Sequence, residues 1–179
     1  MKYALGVSLL FCFPAQAGTT NHHAHVHGAA KVTLALETYL AGTIDLDVPA
    51  ESIYGFEHKA STRADKEAQE RGFKPLRNNP YSILRLPSDC EVKMIKVEAE
   101  KAEAEEKPEP GEEEHHGEHS DINASYSLKC TNSLAGAKIW VGMFDIFSRV
   151  KSVSLRVLTP NGQTEQKITS SHDSLIITK

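Results

Sequence analysis

No apolar run in this 179-residue chain approaches the roughly 18 residues that a membrane-spanning helix requires. The longest, Ala4 to Phe13, falls well short, so no membrane insertion is expected. The chain also lacks H-E-x-x-H, G-x-S-x-G and a glycine-rich phosphate loop. Their absence removes the usual signatures of a zinc protease, a serine hydrolase and a nucleotide-binding enzyme, and the protein is not expected to be an enzyme. Basic residues are outnumbered, 20 Lys and Arg against 24 Asp and Glu, and form no stripe, which argues against nucleic acid. Cysteine is limited to three residues, and no internal repeat is visible.

The first residues carry an export pattern instead. Lys2 precedes the apolar stretch, and Ala15-Gln16-Ala17 has the small-x-small form of a secretory cleavage site. Residues 1–17 read as a signal peptide, leaving 18–179 as a single β-rich domain of about 160 residues, long enough to bury a core. Cys12 departs with the signal. Cys90 and Cys130 then form an even pair in an oxidising compartment, where a disulfide is expected. Both end alternating runs, CEVKMIKV (90–97) and NASYSLKC (123–130). Pairing them antiparallel with Cys90 opposite Cys130 sets Val92 against Leu128, Met94 against Tyr126, and Glu91 against Lys129. That register shares one apolar face and matches opposite charges on the other.

Between those runs lies EAEKAEAEEKPEPGEEEHHGEHSD (98–121), with ten Glu and one Asp against two Lys, a charge of about −9. The whole chain carries −4, or −5 without Lys2, so the remaining body is about +4. The segment has no aromatics and almost no apolar residues, too little to offset its ordering entropy, and reads as a mobile hairpin insertion.

Histidines gather in two places: His22, His23, His25 and His27 near the start, and His115, His116 and His119 in the insertion. Neutral imidazole is the commonest zinc ligand, and carboxylate oxygen supplements it. In an extended strand His23, His25 and His27 share a face, and the opposite face continues as Val26, Ala30, Val32, Leu34 and Leu36 into a core strand. In the insertion, His115 and His119 meet on a helical turn, with His116, Glu114, Glu118 and Asp121 nearby. His58 in GFEH is a further candidate. If Leu36 pairs with Ile44 in a first hairpin, Glu57 and His58 return toward His23 and His22. Its alternative role is capping or packing before the helix. His172 reads as a turn residue. With the thiols bonded, nitrogen plus carboxylate suits Zn2+ best, with Ni2+ and Cu2+ close behind.

The remainder predicts a mainly β, α+β fold with an antiparallel sheet and a short helix. AGTIDLDVP (41–49) alternates as the return strand of the first hairpin, and Thr62 with Asp65 opens a polar helix to about Gly72. KIWVGMFDIF (138–147) reads as a central strand, while VSLRVL (153–158), QTEQKIT (163–169) and SLIIT (174–178) read as a closing meander.

HHAHVHGAAKVTLALE after a signal peptide, GFEH, the cysteine strand, the His- and acid-rich insertion, YSLKC and IWVGMFDIF together resemble the zinc-regulated periplasmic zinc-binding proteins of Gram-negative bacteria, the ZrgA-like family. The resemblance spans essentially the whole mature chain. It implies a periplasmic zinc-binding protein that serves zinc acquisition beside a transporter; the partner is expected to be an ABC-type zinc transporter, and the chain is expected to be a monomer. It carries the binding role onto His22, His23, His25, His27, His115, His116 and His119. Two other readings stay open: a general periplasmic buffer for divalent metals such as Ni2+ or Cu2+, and an exported interaction module whose histidines are incidental.

Overall fold

The computed structural model describes residues 26–101 and 120–179. In chain order the elements are β1 (Ala29–Thr38), β2 (Ala41–Pro49), α1 (Ala50–Tyr54), α2 (Arg63–Asn78), β3 (Leu84–Arg85), β4 (Cys90–Lys101), β5 (Ser120–Cys130), β6 (Lys138–Val141), β7 (Ser152–Thr159), β8 (Gly162–Ile168) and β9 (Ser174–Ile176). A six-stranded sheet runs β4-β5-β2-β1-β7-β8, and a three-stranded sheet runs β3-β6-β9. The fold is mainly β, as the alternating runs require. The large sheet is not wholly antiparallel, because β1 and β7 pair in parallel at its centre.

Alternation places one apolar face on the large sheet. Ala30, Val32, Leu34 and Leu36 of β1, Ile44, Leu46 and Val48 of β2, Ile122, Ala124, Tyr126 and Leu128 of β5, and Val153, Leu155 and Val157 of β7 are all buried. They join one core cluster with Phe73 and Leu76 of α2 and with Leu84, Ile139, Val141 and Leu175 of the small sheet. Each fully buried aliphatic side chain of this kind contributes roughly 1.5–3 kcal/mol. Lys31, Thr33, Asp45, Asp47, Asn123 and Ser125 take the alternate positions on the other face. There Ser125 Oγ donates to Asp45 Oδ1 at 2.7 Å.

The cysteine register holds as read: Cys90↔Cys130, Glu91↔Lys129, Val92↔Leu128 and Met94↔Tyr126. The disulfide links Cys90 to Cys130 across a separation of 40. Beyond Met94 a bulge at Ile95 shifts the pairing by one, to Lys96↔Ser125. The ladder continues to Lys101↔Ser120, so residues 98–101 and 120–121, assigned above to the insertion, are hydrogen-bonded strand. Only 102–119 of that segment lies outside the described residues.

Four local expectations are corrected. The first hairpin pairs Leu34, not Leu36, with Ile44, and Leu36 faces Gly42. A Cβ at Gly42 would lie 2.0 Å from Ala35 O, so glycine lets the strands close two residues tighter than assumed. The shift is even, which leaves every side chain on its expected face. Helix α2 starts at the Thr62–Asp65 capping box but runs through Pro75 to Asn78, because burial of Gly72, Phe73 and Leu76 outweighs the local cost of glycine and proline. The strand from Lys138 ends at Val141, where the Gly142 N–H bonds Ile83 O and a 3-10 turn follows at Met143–Asp145. Finally, β9 leaves the meander and pairs with β6, which carries Leu175 and Ile177 into the core while polar β8 stays at the edge.

Tyr126 ties α2 to the sheet. Its hydroxyl donates to Leu76 O at 2.8 Å. Pro80, four residues beyond Leu76, has no N–H to offer that carbonyl, so the phenol fills a place the backbone cannot. Burial pushes the Tyr126 phenol well above the usual tyrosine range and keeps it a donor.

Candidate metal centre

The stripe of histidines opposite an apolar face does not extend as strand through His27. β1 begins at Ala29, and Val26 is 64% exposed rather than part of the core face. A turn intervenes, closed by Ala29 N–H to Val26 O at 2.9 Å. Gly28 takes the left-handed conformation, φ +80°, and a Cβ there would sit 2.9 Å from Arg149 O. Its N–H donates to Ser52 Oγ of α1 at 3.1 Å. Its carbonyl accepts from Lys151 N at 2.7 Å and Ser152 N at 3.0 Å. The residue after His27 is thus held from two sides, by α1 and by the start of β7.

Helix α1 begins directly after Pro49, with Glu51 in its first turn. From this short helix and the segment after it, two carboxylates approach one ring nitrogen. His27 Nδ1 lies 3.6 Å from Glu51 Oε2 and 3.6 Å from Glu57 Oε1. The His27 side chain is 60% exposed and that of Glu57 only 11%. Glu51 Oε1, the other oxygen, lies 3.6 Å from Arg149 Nε. Among the described residues no group of three or more His, Cys, Asp or Glu side chains is placed to hold a metal ion.

The other site candidates are distributed as follows. His22, His23, His25, His115, His116, Glu118 and His119 lie outside the described residues. His58 is exposed, with its ring stacked on Phe56 at a centroid distance of 4.6 Å and 17° between planes. Its Nδ1 lies 3.1 Å from Lys59 O. Because a carbonyl only accepts, Nδ1 is the donor in that contact. Asp121 stands in the second position of β5, across from Pro49 and Glu100. Next to it, Ser120 Oγ donates to Glu57 O at 2.8 Å.

Glu51 escaped the reading of the sequence, and Glu57 reached the histidines by another route than the hairpin register. The available local signal was Pro49, which ends β2 and opens the turn of α1 that swings both carboxylates back to His27. The thiols of Cys90 and Cys130 are consumed in the disulfide, so donors here are nitrogen and oxygen only. No helix among the described residues is long and apolar enough to cross a membrane.

Residues 24–177 match the family model described as "ZrgA family zinc uptake protein". No curated protein matches the chain.

Proposed function

Because the chain belongs to the ZrgA family of zinc uptake proteins, a family of uptake proteins rather than enzymes, we propose that it is an exported zinc carrier. In this reading residues 1–17 direct it to the periplasm of a Gram-negative bacterium, and 18–179 act there as one monomeric unit. Zinc is its cargo, bound by His22, His23, His25 and His27 and by His115, His116 and His119. Glu118, Asp121 and His58 are supplementary ligands, and the ion passes to an ABC-type zinc transporter.

One observation carries the reading: both histidine clusters are rooted at the same end of the large sheet. β1 begins two residues after His27, and β5 begins one residue after His119. β2 separates these strands, with Lys31↔Asp47 on one side and Pro49↔Asp121 on the other. At about 4.8 Å per strand spacing, the two roots are roughly 10 Å apart. The segment carrying Glu57 touches both, through His27 and through Ser120. Ligands from the two clusters can therefore meet over a short reach, and two neutral-imidazole groups with adjacent carboxylates suit zinc.

Equilibrium dialysis of the purified protein against Zn2+, Ni2+ and Cu2+, with elemental analysis, tests this. Preferential retention of zinc is expected. Equal retention of all three would favour a general divalent-metal buffer, and no retention would leave the histidines incidental.

A further inference from the structure

We propose that the groove between α1, α2 and the turn after Met143 is a docking site for an acidic segment of a partner protein. Its floor is apolar and its rim is cationic. Ile53 and Tyr54 of α1 and Phe147 of the turn form the floor, and each is largely buried. Ile146 stands beside them at 40% exposure, so apolar surface stays open to solvent. The charged side chains that line the groove are Arg71 and Arg149, and both are exposed. Its volume of about 330 Å³ is that of a small binding cleft, with room for a peptide's side chains rather than a folded face.

Neighbouring carboxylates do not already neutralise these arginines. Those of α2 are turned to other guanidiniums: Glu67 Oε1 accepts from Arg63 Nε at 2.8 Å, and Glu70 Oε2 accepts from Arg77 Nη1 at 2.9 Å. Arg71, on the same helix, has no carboxylate at ion-pair distance among the described residues. Among those residues Arg149 has Glu51 alone, with Oε1 3.6 Å from Nε. A charge-assisted N–H···O bond closes to about 2.7–2.9 Å, so this contact leaves the guanidinium able to take a better one. The planar fork of an arginine matches a carboxylate with two bonds at once. A complementary segment therefore sets an apolar side chain on the floor and carboxylates on the two rims. A lipid surface fits less well, because the apolar side chains lie in a concavity between two guanidiniums instead of projecting toward a bilayer.

The groove is formed before a partner arrives. A Cβ at Gly72 would lie 3.0 Å from Ile53 Cγ2 and 3.0 Å from Tyr54 Cβ, so the two helices touch along the floor. The turn that carries Ile146 and Arg149 is fixed by Phe147 N–H to Met143 O at 2.8 Å and by Val150 N–H to Phe147 O at 3.0 Å. Little ordering of the groove then opposes docking. Just beyond Arg149, the Lys151 N–H bonds Gly28 O at 2.7 Å, so a partner seated here stands beside the turn that bears His27.

The test titrates the whole protein with a short fluorescein-labelled peptide in which Leu is flanked by Glu, and with a Gln-for-Glu peptide as control. Fluorescence anisotropy reads affinity, and amide resonances of the 15N-labelled protein locate the contact. Binding of the Glu peptide alone is expected, weakening as salt rises, with shifts centred on Ile146 and Phe147. Arg71→Glu should weaken it at least about tenfold, the loss of a hydrogen bond to a charged group, and leave thermal unfolding unchanged. If Arg71→Glu unfolds, Arg71→Gln decides in its place. Equal binding of the Gln peptide, shifts centred elsewhere, wild-type affinity in the variant, or no binding at all would overturn the assignment. Binding that emerges only when 102–119 is replaced by Asn-Gly would overturn it too, by making the chain's own acidic residues the occupant. So would Arg71-dependent retention on phosphatidylserine vesicles without peptide binding.

Discussion

Reducing the Cys90–Cys130 bond should destabilise the protein by an amount that barely depends on the length of the segment between β4 and β5. The bridge closes a loop with a sequence separation of 40. On the chain-entropy model that constraint on the unfolded state is worth about 4 kcal/mol at 25 °C. The strands reach Lys101↔Ser120, so residues 102–119 can be replaced by a two-residue Asn-Gly turn without touching a ladder pair. The separation then falls from 40 to about 24, and the logarithm lowers the disulfide's contribution by only about 0.5 kcal/mol. Urea unfolding of both forms, with and without reductant, gives the four free energies. Reduction is the cleaner perturbation, since the thiols still fill the buried positions of Cys90 and Cys130. A loss below about 1 kcal/mol in the long form, or one halved in the short form, would refute the loop-entropy reasoning. The expected result means that the insertion can change in length and histidine content at little cost to the fold.

Tyr126→Phe removes the hydroxyl that donates to Leu76 O and leaves a buried carbonyl that Pro80 cannot serve, so urea unfolding should show a loss of about 1–3 kcal/mol. Thr62→Ala removes the Asp65 N–H acceptor and should cost about 1 kcal/mol in the same assay. The Thr62 backbone N–H, then its hydroxyl, hold the Asp65 carboxyl below its ordinary value. The capping contribution is therefore complete above the ordinary value of 3.8 and is lost as pH falls through the lowered one; stability of wild type and Asp65→Asn measured from pH 6 to pH 2 should converge at the acid end. Replacing His22, His23, His25 and His27 by Ala should remove the tightest zinc site by calorimetry, whereas replacing 102–119 should lower stoichiometry and flatten the salt dependence of capture. The opposite pattern would reverse that division of labour.

What could be read from the chain was whatever depended on local period or on a pair of matched strands. Alternation in β1, β2 and β5 gave the core face correctly because parity survives an even slip of register. The cysteine pair was placed to the residue because two sulfurs, an opposite-charge pair and two apolar pairs all agreed on one alignment. The start of α2 was legible in Thr62 and Asp65, but its end was not. Gly72 and Pro75 are local stop signals that Phe73 and Leu76 override by burial. The parallel pairing of β1 with β7 joins strands more than a hundred residues apart and leaves no local mark. The meeting of His27 with Glu51 escaped for a related reason. It depends on Gly28 turning the chain and on Ser52 catching that turn, neither of which alternation reveals.

The proposed carrier role sets a demand on how fast zinc enters and leaves. Zinc in the closed four-ligand sites of zinc-finger peptides contributes about 10–16 kcal/mol. The upper figure corresponds to a Kd near 1 pM. With steered capture at about 10⁸ M⁻¹s⁻¹, such a site would hold its ion for roughly three hours, whereas a Kd of about 10 nM would release it in about a second. The carrier role proposed above belongs nearer the second value, which favours fewer protein ligands and a side open to exchange. A core site could not meet that demand, since the buried cluster behind β1, β2 and β5 is apolar and its two sulfurs are bonded to each other. The proposed carrier role therefore points to ligands outside that core, and His27, next to the first strand, stands on a turn pinned through Gly28 with its side chain 60% exposed.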